Sequence, residues 1–196
     1  TKKGQSINLQ KQSATLGEIV VNLNWNQQQS SGGLLSNILG KNKGIDLDLG
    51  CLFELTDGSK GCVQALGNAF GSLDELPYIQ LDGDDRTGAV SGGENLRING
   101  NQIAQIKRIV VYTFIYKGAA NWSQADGVVT MTYPGGSDIV VRLDETGSNL
   151  GMCAIAMIEN INNETFRVQR LVEYFKSHVE LDRAYDWGMQ WRAGSK

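Results

Sequence analysis

The residue types best suited to chemistry gather in one stretch, Leu81-Asp-Gly-Asp-Asp-Arg-Thr-Gly-Ala-Val-Ser-Gly-Gly-Glu94. Asp82, Asp84 and Asp85 offer hard oxygen donors on a glycine-rich backbone that can fold around a small cation, and calcium takes roughly six to eight oxygens at about 2.3–2.6 Å. Clustered carboxylates repel one another unless a cation sits among them. The spacing is not that of an EF-hand. Counted from Asp82, the fifth position is Arg86, the sixth is Thr87 instead of Gly, and Glu94 falls one place late. Asp and Gly are also turn formers, so a solvated turn capped by its own side chains is the competing reading. A second acidic pair, Asp46 and Asp48 in Ile45-Asp-Leu-Asp-Leu49, projects from one face of a predicted strand. These two are either further ligands or the polar side of a half-exposed strand.

Other chemistries find little support. Gly32-Gly33 and Gly92-Gly93 lack the strand–helix context of a phosphate loop, and the three cysteines form no C-x-x-C with histidines beside it. The single histidine, His178, sits in a predicted C-terminal helix without a nucleophile motif, and reads as a surface helix residue. A carboxylate-pair hydrolase using Asp84 with Glu94 would need one pKa raised above the other, and so polar a loop has little to raise it. We therefore expect no enzymatic activity.

The elements that must position these carboxylates are strands. Ile19, Val21, Leu23 and Trp25 alternate with Asn22 and Asn24, and the alternation from Ile45 continues through Cys51, Phe53 and Leu55 to the Thr56-Asp-Gly58 turn. Ile106–Tyr116 is nearly all apolar, as a central strand covered on both faces would be. Pro134-Gly-Gly136 and Ile161-Asn-Asn163 read as two more hairpins. The residues Phe166, Val168, Leu171, Val172 and Phe175 fit a strand or one helix face. Ser177–Tyr185 reads as a short helix, with Ser177 and Glu180 in capping-box spacing and Gly188 as the stop beyond it. Residues 26–44 form a polar, glycine-rich loop, the predicted mobile segment. Short strands tied by tight turns, without βαβ alternation, predict one antiparallel β-sandwich domain over 1–196.

Composition narrows the partners. A formal charge of −3 gives no basic footprint for a nucleic acid backbone, and the longest apolar run, Ile109–Tyr116, is far short of the ~20 residues a spanning helix needs. Cys51, Cys62 and Cys153 are odd in number and set among apolar residues, which reads as reduced thiols in a core and a cytoplasmic setting. Residues 82–94 set four acids against Arg86, so this loop alone carries a net charge equal to that of the whole chain.

Ile45-Asp-Leu-Asp-Leu49 and Gly83-Asp-Asp-Arg-Thr-Gly88 resemble the D-L-D-A strand and G-D-N-R-T-G signature of the TerD family of tellurium-resistance proteins. Residues 78–100, Ala119–Val129, Met152–Glu159 and Leu181–Gly188 are most similar to the TerA branch of that family. The resemblance implies a calcium-binding β-sandwich acting in bacterial resistance to tellurite and other stresses, with other Ter proteins and a membrane-bound partner that would hold it peripherally at the inner membrane. By position it implies Asp46, Asp48, Asp84, Asp85 and Glu94 as side-chain ligands of Ca2+, with Gly83 and Thr87 shaping the loop or offering carbonyls. Asp85 stands where the family usually has Asn, which adds charge. Ala89–Gly93 replaces an acidic run and Tyr116-Lys117 an H-D pair, so one calcium site is expected where the family has two. A non-enzymatic calcium-loaded interaction module is the leading expectation. A calcium-dependent carbohydrate-binding module, motivated by Trp122, Trp187 and Trp191, is the alternative.

Overall fold

A computed structural model describes residues 3–11, 14–25, 45–83, 92–118, 121–143 and 149–194. The predicted loop 26–44 and the ligand candidates Asp84, Asp85 and Thr87 lie outside the described residues. In chain order the elements are β1 (Ser6–Asn8), β2 (Glu18–Asn24), β3 (Asp46–Leu55), β4 (Lys60–Gln64), β5 (Gly71–Ser72), β6 (Ile79–Leu81), β7 (Glu94–Asn99), β8 (Ile106–Lys117), α1 (Trp122–Ala125), β9 (Gly127–Thr132), β10 (Ile139–Leu143), β11 (Met152–Ile161), β12 (Thr165–Phe175) and α2 (His178–Ala184). Among the described residues the strands form two six-stranded sheets, ordered β1-β12-β11-β8-β3-β4 and β10-β9-β2-β7-β6-β5. Neighbouring strands run antiparallel. The predicted antiparallel β-sandwich is the observed fold.

The main core lies between the sheets. Ile19, Val21 and Leu23 of β2 are completely buried there with Leu47 and Leu49 of β3 and Leu96 and Ile98 of β7. Each such side chain contributes about 1.5–3 kcal/mol by leaving water. A second core covers the outer face of the first sheet. Leu52, Val110, Tyr112, Phe114, Met152 and Leu171 meet Leu181 of α2 and Trp187 there.

This second core bears on two expectations. Of the two readings left open for Asp46 and Asp48, the half-exposed strand is not the one observed, since β3 is buried along almost its whole length and the C-terminal segment roofs its outer face. The ambiguous stretch 166–175 is strand β12. Phe166, Val168 and Val172 face the main core while Leu171 and Phe175 face the second, so two-sided burial produces the mixed spacing. At a bulge, Leu171 and Val172 lie opposite the single Ile155, and Val172 adopts a φ of 54°, unusual for a β-branched residue.

The C-terminal roof is pinned by polar contacts. The Arg108 guanidinium lies 3.9 Å over the Trp187 ring and donates to the carbonyls of Tyr185 at 2.9 Å and Asp186 at 3.0 Å. Trp187 Nε1 donates to the Phe53 carbonyl at 3.0 Å. Asp182 accepts from the amides of Gly188 and Met189 and from Trp191 Nε1, at 2.8, 3.0 and 3.0 Å. Helix α2 falls within the predicted 177–185, with Tyr185 at its C-terminal cap, and Ser177 caps its start by accepting from the Glu180 amide. Among the described residues, no helix is long and apolar enough to cross a membrane.

Candidate metal centre

Three of the described carboxylates of interest are buried at the first half of β3, Asp46 and Asp48 on its outer face and Glu94 reaching it from the other sheet. Asp46, Asp48 and Glu94 are exposed by only 3%, 0% and 2%. Alternation along β3 sends Leu47 and Leu49 into the main core and Asp46 and Asp48 to the opposite face. The register confirms the side, since Asp48 pairs with Phe114 and Gly50 with Tyr112, both members of the second core. Asp46 pairs with the exposed Lys117 beyond a register shift in which Tyr116 is skipped. The competing expectation, a solvated polar face, therefore fails for both aspartates.

Glu94 approaches from the other sheet. It opens β7, whose Leu96 and Ile98 lie in the main core, and its Oε2 accepts from the Leu49 amide at 2.7 Å. Leu49 lies just past the last β3–β4 pair, Gly50 with Gln64, so the carboxylate supplies the acceptor that β4 is too short to provide. Gly93 makes this entry possible. It has a φ of +63°, and a Cβ there would lie 2.2 Å from the Leu23 carbonyl oxygen. Gly83, by contrast, would meet nothing within 4 Å.

Two acidic residues of the same region serve other ends. Asp82 is held by Arg97 of β7, with Nε 2.7 Å from Oδ1 and a second nitrogen 2.7 Å from Oδ2. Arg97 also binds Glu18. Much of the loop's apparent charge at Asp82 is thus answered within the sheet.

A polar group absent from the sequence expectations lies beside Asp48 under α2. Tyr112 donates to Gln64 Oε1 at 2.7 Å, and His178 Nε2 lies 3.0 Å from the same oxygen. The His178 ring packs against Tyr112, Phe114 and Trp191 at centroid distances of 5.3, 4.9 and 5.1 Å. Burial pushes its pKa down to about 4, so His178 is a neutral packing residue and not the surface residue expected. Burial above all pushes the Tyr112 phenol well above its ordinary range. The signal for this group was the alternation itself, which puts Asp48, Tyr112 and Phe114 on one face.

The donor chemistry suits a hard divalent cation, since the side chains brought to β3 are buried carboxylates whose desolvation costs several kcal/mol each unless countered. The described residues do not close a coordination shell by themselves. Among them no three His, Cys, Asp or Glu side chains form a metal-holding group. The thiols do not change this picture, because burial raises Cys51 and Cys62 and keeps them protonated.

The chain is 48% identical over 196 residues to tellurium resistance protein TerA of Alcaligenes sp. and spans 57% of that protein. It is 33% identical over 134 residues to tellurium resistance protein TerX of Serratia marcescens, covering 62% of it. It therefore spans less than two thirds of either relative's length. A homologue of the telluride resistance protein TerD from Streptomyces coelicolor A3(2) superposes with a TM-score of 0.62 at 17% identity, over 85% of this chain and 95% of that one. A solved protein of unknown function also reaches a TM-score of 0.62, at 14% identity over 89% of this chain and 99% of its own. The TerD domain model matches residues 1–133, which include β3, the acidic loop and Glu94, and the chain belongs to the TerD domain family.

Proposed function

We propose that the chain is a calcium-binding, non-enzymatic interaction module of a bacterial tellurite-resistance and stress-response system, acting in the cytoplasm with other Ter proteins and a membrane-bound one. The observation that carries this reading is the burial of Asp46 and Asp48 on β3 and of Glu94, which bonds the Leu49 amide of that strand and follows the acidic loop in sequence. The names of the relatives, both tellurium resistance proteins, support the biological setting.

In this reading Asp46 and Asp48 hold their oxygens on a strand fixed from both faces, and Glu94 ties that strand to the opposite sheet. Asp84, Asp85 and Thr87, with Gly83, complete the donor set. A bound calcium ion supplies the positive charge that makes burial of these carboxylates favourable. Rigid sheets carrying an ion-ordered loop suit a surface that another protein reads.

The sugar-binding alternative loses its motivation. Trp122 and Trp187 are exposed by 0% and 1%, and the half-buried Trp191 has its indole N–H committed to Asp182.

Thermal melting with calcium and with chelator tests the reading. A hundredfold excess over the dissociation constant stabilises by about 2.7 kcal/mol, raising the midpoint by roughly 5–10 °C for a chain of this size. An unchanged midpoint overturns it. Calorimetric titration is expected to return a stoichiometry of one.

A further inference from the structure

We propose that β10 is a pairing edge for a second copy of this chain, the two β10 strands joining antiparallel about Val140. Sheet edges are hazards that proteins blunt by brevity or by cover. Among the described residues, β5 and β1 are edges of two and three residues, and β4 turns back so that Gln64 bridges Ala69. Edge strand β10 differs. It is five residues long, Ile139-Val-Val-Arg-Leu143, and no described strand pairs with its outer side.

The side chains of β10 suit a two-fold partner. Ile139, Val141 and Leu143 point into the main core, exposed by 7%, 3% and 0%. Outward stands Val140, exposed by 45%, with Asp138 and Arg142 exposed at equal distances on either side. Neither charge takes part in an ion pair among the described residues.

Antiparallel pairing about Val140 places Asp138 opposite Arg142 of the second copy, and Arg142 opposite its Asp138. Both ion pairs follow from a single symmetric contact, as an isologous interface requires. A slip of two residues loses both pairs, and a slip of one turns the buried residues outward. The charges therefore select one register. The apolar pair at its centre, Val140 against Val140, covers surface that the single copy leaves in water. Pairing would extend the second sheet through the dimer.

Sedimentation of the whole chain over a wide concentration range tests this. The expected result is a monomer–dimer equilibrium that weakens as salt screens the paired charges. Arg142→Asp, which sets like charges opposite each other twice per dimer, should raise the dissociation constant roughly tenfold or more. Asp138→Arg should do the same, and the double substitution should restore the dimer. Val140→Cys should form a covalent dimer on mild oxidation, because facing Cα atoms in such a pair lie about 4.5–5.5 Å apart, within disulfide range. Val179→Cys, an equally exposed position on α2, should not. A chain that stays monomeric throughout, a dimer indifferent to Arg142→Asp, or equal cross-linking at the two positions would each overturn the proposal.

Discussion

The amide of Leu49 donates to Glu94 Oε2 at 2.7 Å, joining the two sheets through a side chain at the place where the β3–β4 ladder stops. Glu94→Ala should destabilise the chain by about 2–4 kcal/mol, since it leaves a buried amide without its acceptor and opens a cavity. Glu94→Gln keeps a carbonyl oxygen for Leu49 and should cost less. Denaturant unfolding in chelator should separate the two variants, while both should lose most of the calcium response.

The aspartates should matter more with calcium than without it. In chelator, Asp46→Asn or Asp48→Asn keeps the shape of the side chain and should cost less stability than in calcium. In calcium the same variants should melt below the parent chain. Melting each protein in both conditions checks this, and a variant that keeps the full calcium shift would remove that residue from the donor set.

His178 makes stability depend on pH in a stated window. Its folded pKa is about 4 against an unfolded value near 6.5, so the unfolded chain takes up the proton first as pH falls. The stabilising contribution of the neutral ring is complete above about pH 6.5 and is lost as pH drops toward 4, by up to about 3 kcal/mol. His178→Asn should flatten that part of the stability profile relative to the parent chain, as measured by denaturant unfolding between pH 7 and 4.5.

Glu54 ties the roof to the sheet. Burial alone would raise its pKa, but Lys107 and Arg108, each 2.6 Å away, outweigh that and hold it below the usual carboxylate value. Arg108 in turn carries Trp187 and the carbonyls of Tyr185 and Asp186. Glu54→Ala should cost about 2–3 kcal/mol and loosen the C-terminal segment. Quenching of Trp187 fluorescence by a soluble quencher should increase in the variant.

The parts of the fold that could be read from sequence were those with one buried face or none exposed. Ile19, Val21 and Leu23 alternate with polar residues, and β2 is the half-buried strand they describe. The apolar run of β8 sits between β3 and β11, as expected for a central strand. The errors come from the second core. Alternation in β3 is genuine, but a sequence does not say what covers the polar side, and Asp46 and Asp48 were as compatible with water as with burial. In β12 the residues Leu171 and Phe175 belong to a different core from Phe166 and Val168, which imitates helical spacing. His178 lies at the start of a helix of seven residues, too short for its pattern to reveal a covered face. Of the site, Asp46, Asp48 and Glu94 were legible as acids at strand positions. The bond from Leu49 to Glu94 was not, because it depends on how far β4 extends.

The sheet order also dictates when this chain can fold during synthesis. β1 has only β12 as a neighbour, β8 waits for β11 on one side, and β9 links early β2 to later β10. The second sheet has all its strands once Leu143 has left the ribosome, but the first waits for β12, which ends at Phe175, so the core between them closes late and through contacts distant in sequence. Such topologies fold slowly and leave strands open in the meantime. A chain cut after residue 133, where the family match ends, would lack β10, β11, β12 and α2. It would expose β8 along one side and strip the cover from Asp48, so the matched segment draws part of its core and its cover from the residues that follow it.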